Sequence, residues 1–190
     1  EKLLAAMDQP SIDGVNTWFV ARAAAGMDIK VALSGLGGDE LFGSYPSFHQ
    51  IPKMLRYGKF FSGVPQAGQW LRKLSAPVFS RITSPKYAGL IEYSNNAGGA
   101  YLLRRSLYAP WELDQHLDPA FVKAGLDELQ TRARLNATVN GISNDRLAVS
   151  SLEMNWYMRN QLLRDADWAG MAQSLEIRVP FLDLDLLRKT

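Results

Sequence analysis

A chain of 190 residues, 47% of them hydrophobic, is long enough to bury the core of one ordinary domain without covalent staples. It has no cysteine, which removes disulfides, thiolate metal sites and a cysteine nucleophile from these residues and makes a cytoplasmic setting the expectation; with only His49 and His116 as imidazoles, no zinc site is expected either. The formal net charge of +2 hides an asymmetry, nine Lys or Arg against the single acid Glu92 in residues 44–110 and nine bases against twelve acids in residues 111–190, but the bases are scattered and no nucleic-acid motif accompanies them, so they read as a solvated face.

In chain order, Asn16 and Thr17 are candidate caps for a helix through "WFVARAAA", with Gly26 as its stop. "IKVAL" (29–33) is short, partly β-branched and followed by a glycine-rich turn, which predicts a buried parallel strand. Beyond Phe48 strand signals fade. Residues 58–99, broken by Pro65, Pro77, Pro85 and several glycines, predict short helices and loops, and residues 119–133 predict a helix with proline in its first turn. Apolar residues spread around much of 146–164 predict a helix buried on more than one side. The final "LEIRVPFLDLDLL" begins extended, since Pro180 biases Val179 away from α geometry, and Asp183 or Asp185 is placed to cap a last helix. No apolar run approaches about 18 residues and no cleavable leader is visible, so no membrane partner is expected. The chain opens on "EKLLAAMDQP" and closes within an apolar-periodic segment, which suggests a piece of a longer protein.

The stretch "SGLGGDELFG" (34–43) sits between predicted strand and predicted helix. Glycines there let backbone N–H groups approach a phosphate, and Ser34, Gly35, Gly37 and Gly38 occupy that turn. The spacing is neither a Rossmann fingerprint nor a Walker loop, because Glu40 stands where the third glycine would be and no GK[ST] follows. Asp39 and Glu40 would repel bound phosphates unless a hard cation intervened, so donors plus an acid suggest Mg²⁺-nucleotide binding. An equal alternative is that Asp39 only caps the helix "ELFGSY", worth about 1 kcal/mol.

"VALSGLGGDELFGSYPSF", together with "DQPSIDGVNT" upstream and "GMAQSLEIRVPFLD" downstream, resembles the synthetase domain of the asparagine synthetase family of glutamine-dependent amidotransferases. The resemblance implies an α/β fold, part of a nucleotide-hydrolase-like (HUP, adenine nucleotide alpha hydrolase-like) parallel sheet, with this chain predominantly α-helical: residues 1–57 form the α/β part bearing the loop and 58–190 a mostly helical part. It implies an ATP pyrophosphatase domain that activates a carboxylate, most simply aspartate, as an acyl-adenylate, which ammonia from glutamine converts to an amide. By position Ser34 and Gly35 would contact the adenylate and Asp39 would ligate Mg²⁺, making ATP and Mg²⁺ the implied cofactors; a homo-oligomer is left open.

Three features of that family are absent from these residues: the SGGxDS pyrophosphate loop, the glutaminase domain with its N-terminal cysteine, and a lysine that would fall beyond Thr190. The fragment alone is therefore expected neither to bind ATP tightly nor to catalyse. Leu36 stands where the family has Glu or Tyr, residues able to manage a proton or orient an acceptor, so no catalytic residue is assigned. Either Leu36 packs on a substrate-pocket wall or the acceptor is another carboxylate, as in relatives resembling proteins of exopolysaccharide clusters. A non-catalytic interaction module is the rival from another class.

Among other residues, Glu176 and Arg178 share a side of an extended segment and are expected to form a buried structural pair. Asp165 and Asp167 are expected to cap or to pair with Arg164 rather than bind metal, and Trp156, Tyr157 and Trp168 to lie in the core.

Overall fold

The structure, a computed structural model, describes residues 1–60, 86 and 89–189. Its helices are α1 (Lys2–Ala6), α2 (Asp13–Ala25), α3 (Gly38–Phe42), α4 (Ser47–Phe60), α5 (Leu90–Tyr93), α6 (Ala97–Arg105), α7 (Pro119–Leu129), α8 (Thr131–Thr138), α9 (Asp145–Leu152), α10 (Leu163–Met171) and α11 (Leu184–Lys189). The strands are β1 (Val31–Leu33) and β2 (Glu176–Arg178); a π-helical segment spans Glu153–Leu162, and 3-10 turns span Pro110–Gln115 and Pro180–Leu182. The described residues thus have a mostly helical α/β composition with one small parallel sheet. Two compact units result, Glu1–Ser44 with Glu153–Thr190, and Tyr45–Leu152. This grouping differs from a contiguous division at residue 57, because the C-terminal segment returns to pair with β1.

In the first unit β1 and β2 run parallel in the register Val31 with Glu176, Ala32 with Ile177 and Leu33 with Arg178. Helix α10 packs on both α2 and β2, and Trp18, Trp168 and Ala169 form a buried cluster covered by Leu3, Ala6 and Met7. Asp165, almost fully buried, accepts hydrogen bonds from Ser11 Oγ and from Trp168 Nε1, the latter at 3.0 Å. That satisfied carboxylate ties the segment before α2 to α10; left unbonded, such a group would cost about 1–3 kcal/mol. Helix α2 begins at Asp13, ahead of the expected caps Asn16 and Thr17. Thr17 lies inside the helix, where its Oγ1 donates back to the Asp13 carbonyl at 3.4 Å, and Gly26 closes the helix as expected. The strand is found where expected but is not buried: Val31 is 41% and Leu33 75% exposed.

The second unit is helical. Ile51, Ala100, Leu103, Leu135, Val149 and Leu152 form part of its buried interior. Asn96 caps α6 by accepting from the Gly99 N–H at 2.8 Å, and Asp118 caps α7 through the N–H groups of Ala120 and Phe121. The helix expected over 119–133 is broken at Gln130, whose φ of +46° turns the chain from α7 into α8. Most of the proline-rich stretch read as short helices and loops, residues 61–85 and 87–88, lies outside the described residues.

The predicted helical segment 146–164 is helical throughout but not uniformly α. Its middle, Glu153–Leu162, is π-helical, a wider winding that distributes apolar residues differently from a 3.6-residue period. After Pro180 the chain makes its 3-10 turn, and Asp183 caps α11 by accepting from the Leu186 N–H at 2.9 Å.

Candidate functional site

The glycine-rich loop leaves the end of β1 and enters α3. Its first residue is pinned from the neighbouring strand: the Ser34 N–H donates to the Arg178 carbonyl at 2.8 Å, extending the ladder by one bond. Ser34 Oγ accepts from the Leu36 N–H at 3.3 Å, and the Gly38 N–H from the far side of the turn donates to the Gly35 carbonyl at 3.1 Å. These bonds close the loop on itself in the manner of a hydroxyl-stabilised turn.

Gly37 carries the sharpest constraint. Its φ is +96°, and a Cβ there would lie 2.8 Å from Leu182 Cδ2 and 3.2 Å from Phe181 Cβ. Both left-handed backbone and close approach therefore require glycine. Phe181 in turn meets the ring of Phe42 edge-on at 5.9 Å, so the 3-10 turn after β2 buttresses both ends of α3. Gly35 is the opposite case, since a Cβ there would meet nothing within 4 Å. Its α-carbon faces open space.

The residues singled out from sequence come together here. Ser34 and Leu36 are half-buried, while Gly35 and Asp39 are exposed. Among the described residues the N–H groups of Gly35, Gly37 and Asp39 form no hydrogen bond; Gly37 is buried, so Gly35 and Asp39 are the exposed residues with an unbonded N–H, and the second also carries the exposed carboxylate. The two acids, grouped by sequence, separate. Asp39 lies in the open and Glu40 is completely buried, so only Asp39 is available to a ligand. Asp39 is not the helix cap: Gly37 holds that position, and no side-chain bond caps α3.

The donor set tests the fit to Mg²⁺ and phosphate. An exposed carboxylate next to unbonded N–H groups suits a hard cation shared with an anion. Among the described residues no three His, Asp or Glu side chains gather in a metal-binding group. Asp39 could hold Mg²⁺ only in combination with ligand oxygens or groups beyond these residues.

Sequence reasoning overlooked the supports. The Arg178 carbonyl, Phe181 and Leu182 shape the loop from about 140 residues away in sequence, and no local signal points to them. Arg178 Nε and Glu176 Oε1 bond to each other at 2.8 Å. Contrary to the expected burial, their side chains are 61% and 57% exposed. The hydrogen bond, and then the charge, of Arg178 hold the Glu176 carboxyl below its ordinary pKa, and Arg178 is raised in return. Arg164 pairs with Asp8 at 2.5 Å rather than with Asp165, and Asp167 is exposed. Trp168 is core, whereas Trp156 and Tyr157 are half-buried. Asp13 Oδ2 accepts from both the Tyr157 hydroxyl, at 2.9 Å, and Gln161 Nε2, at 2.7 Å, which fastens α2 to the π-helical segment.

Comparison with known proteins decides the family, since the model of the asparagine synthase family matches residues 1–189. The chain belongs to the asparagine synthase family. It is 31% identical over 182 residues to a protein of Mycobacterium tuberculosis (strain H37Rv) named putative asparagine synthetase [glutamine-hydrolyzing], covering 93% of this chain and 26% of that protein. It is 28% identical over 187 residues to asparagine synthetase [glutamine-hydrolyzing] 1 of Bacillus subtilis, covering 96% of this chain and 28% of that protein. Asparagine synthetase [glutamine-hydrolyzing] 3 of the same bacterium is 27% identical over 186 residues, covering 96% of this chain and 24% of that protein. The chain thus spans about a quarter of the length of these curated relatives. No solved structure matches it significantly. Among the described residues no helix is long and apolar enough to cross a membrane.

Proposed function

We propose that this chain is the loop-bearing part of an ATP-dependent synthetase that joins ammonia, drawn from glutamine, to an activated carboxylate. In this reading β1 and β2 belong to a nucleotide-hydrolase-like parallel sheet. Ser34 and Gly35 receive the adenylate, and the unbonded N–H groups of the loop face the phosphates. Asp39 holds Mg²⁺, which when bound would neutralise charge on the departing pyrophosphate. The residues of the chain itself do three things: fix the turn through Ser34 Oγ, leave Gly35 uncovered for close approach, and present one acid while burying its neighbour. The observation that carries the reading is this convergence of open glycine, unbonded donors and an exposed Asp39 in a chain belonging to the asparagine synthase family. The SGGxDS loop and the ammonia source would come from the remainder of a longer parent.

Leu36 favours a second reading of the acceptor. A leucine can neither transfer a proton nor hydrogen-bond a carboxylate or amine, so the acceptor would be a carboxylate other than aspartate, recognised partly by apolar contact. The test is pyrophosphate release by the full-length protein with ATP, Mg²⁺, glutamine and a panel of carboxylic acids. Stimulation by aspartate supports asparagine formation, and stimulation only by another acid supports the second reading. ATP binding in the full-length protein with no acceptor-dependent release would overturn both and leave an interaction module.

A further inference from the structure

The second unit holds a cavity of about 750 Å³ that lies outside the loop-bearing unit. This is the size range of sites for small organic ligands. Met54, Leu90, Ile91 and Leu103 supply apolar wall, while Lys53, Lys86 and Arg104 supply three cations, and no Asp or Glu stands among its described lining residues. Positive charge over an apolar lining is the complement of an anion that carries an apolar body.

Two of the cations are held in place. Arg104 Nε donates to Gln50 Oε1, which orients the guanidinium while leaving its two terminal nitrogens without a hydrogen bond among the described residues. A fork fixed in this way suits the two oxygens of a carboxylate or phosphate. Lys86 Nζ donates to the Ser106 carbonyl, which fixes its head group. Partial burial, opposed by Glu112 and aided by Arg104, lowers the Lys86 pKa, which means that its charge is incompletely solvated where it stands. Lys53 makes no hydrogen bond or ion pair among the described residues. Gly58 adjoins the cavity, and a Cβ on it would lie 2.0 Å from the Ser94 carbonyl oxygen, so α4 and the end of α5 are closed against each other on that side.

We propose that this cavity binds an amphipathic anion, an apolar or aromatic body bearing a carboxylate or phosphate head, with Arg104 and Lys53 receiving the head and Met54, Leu90 and Leu103 the body. The proposal is argued from residues of the second unit alone and does not depend on the nucleotide-loop assignment.

The probe is 8-anilinonaphthalene-1-sulfonate, titrated by fluorescence into the full-length protein, with N-phenyl-1-naphthylamine as the same body lacking the anionic group. Lys53→Met with Arg104→Leu should weaken the anionic probe at least about tenfold, the scale of a lost charge-assisted hydrogen bond, and leave the neutral one within about twofold. Lys53→Arg with Arg104→Lys should restore most of the affinity. Both residues are exposed, so melting of the variants should match the wild type; if Arg104→Leu lowers it, Lys53→Met alone carries the test. Competition by decanoate or by decyl phosphate identifies the head group. Equal binding of the anionic probe to wild type and charge-removed protein, or displacement by neither competitor, overturns the proposal.

Discussion

Gly37 and Gly35 lie two residues apart, yet the structure assigns them opposite sensitivities. In Gly37→Ala the new methyl group meets a backbone at φ +96° and a neighbour, Leu182 Cδ2, at 2.8 Å. Left-handed geometry costs a non-glycine residue about 1–2 kcal/mol, and crowding a packed contact adds about 1–3 kcal/mol, reduced here because the first atom met is the end of a leucine side chain. A total of about 2–4 kcal/mol follows. At about 2–4 °C per kcal/mol for a domain of this size, the melting midpoint should fall by roughly 4–16 °C. In Gly35→Ala the Cβ meets nothing within 4 Å and φ lies outside the positive region, so stability should hold or rise by about 0.4–1 kcal/mol. Its methyl group would instead occupy the face proposed to receive the nucleotide, and misplacing a bound group by about 1 Å is enough to lose about 10²-fold in rate. Melting curves and acceptor-dependent pyrophosphate release of both variants in the full-length protein check the pair. A wild-type midpoint for Gly37→Ala, or an equal fall for Gly35→Ala, would refute the reasoning.

Asp39→Asn keeps the shape of an exposed side chain while removing its charge; on the proposed reading pyrophosphate release should drop about 10²–10³-fold with melting unchanged, and near-normal release would remove Asp39 from the proposed metal site. Gly14→Ala would drive a Cβ to 2.3 Å from Trp168 Cζ2 and 3.1 Å from Asp165 Oδ1, within the core of the first unit; a loss of about 1–3 kcal/mol is expected in chemical denaturation, and unaltered stability would show that α2 and α10 do not pack this closely. For Glu176 the shift is downward, so its bond to Arg178 favours the folded state above the ordinary glutamate pKa and fades as pH falls through the lowered value. Carboxyl NMR titration should find a depressed midpoint that Arg178→Gln returns toward normal; because both groups are solvated, the accompanying change in stability should be small.

What the sequence displayed best was local. The β-branched run before a glycine cluster placed β1, Pro180 marked the bend after β2, and Asp183 was a recognisable cap. The same reasoning set the start of α2 too late, since the capping preference of Asn16 and Thr17 was outweighed by long-range bonding of the preceding Ser11 to Asp165. Sequence could not reveal that Asp39 and Glu40, adjacent acids of one helical turn, face different surroundings. On a helix successive residues are rotated by about 100°, so burial of one leaves the other free, but which one is buried depends on packing rather than on residue type. The pairing of Glu176 with Arg178 followed from their two-residue spacing; their exposure did not, because an apolar strand pattern is silent about which neighbours cover it.

In the proposed reading the loop also separates nucleotide chemistry from acceptor choice. The features proposed to face phosphate are backbone features: Gly35 left bare, Gly37 turned left-handed, and unbonded N–H groups around them. They are fixed by Leu182 and by the Arg178 carbonyl, so a side-chain change at Leu36 need not disturb them, the Leu36 contribution to the turn being its main-chain N–H on Ser34 Oγ. That position can therefore vary in chemistry while the turn persists. On the proposed reading, a change at Leu36 would alter the acceptor while leaving the means of holding ATP in place, and for that reason the acceptor experiment, rather than nucleotide binding, discriminates between the two proposed substrates.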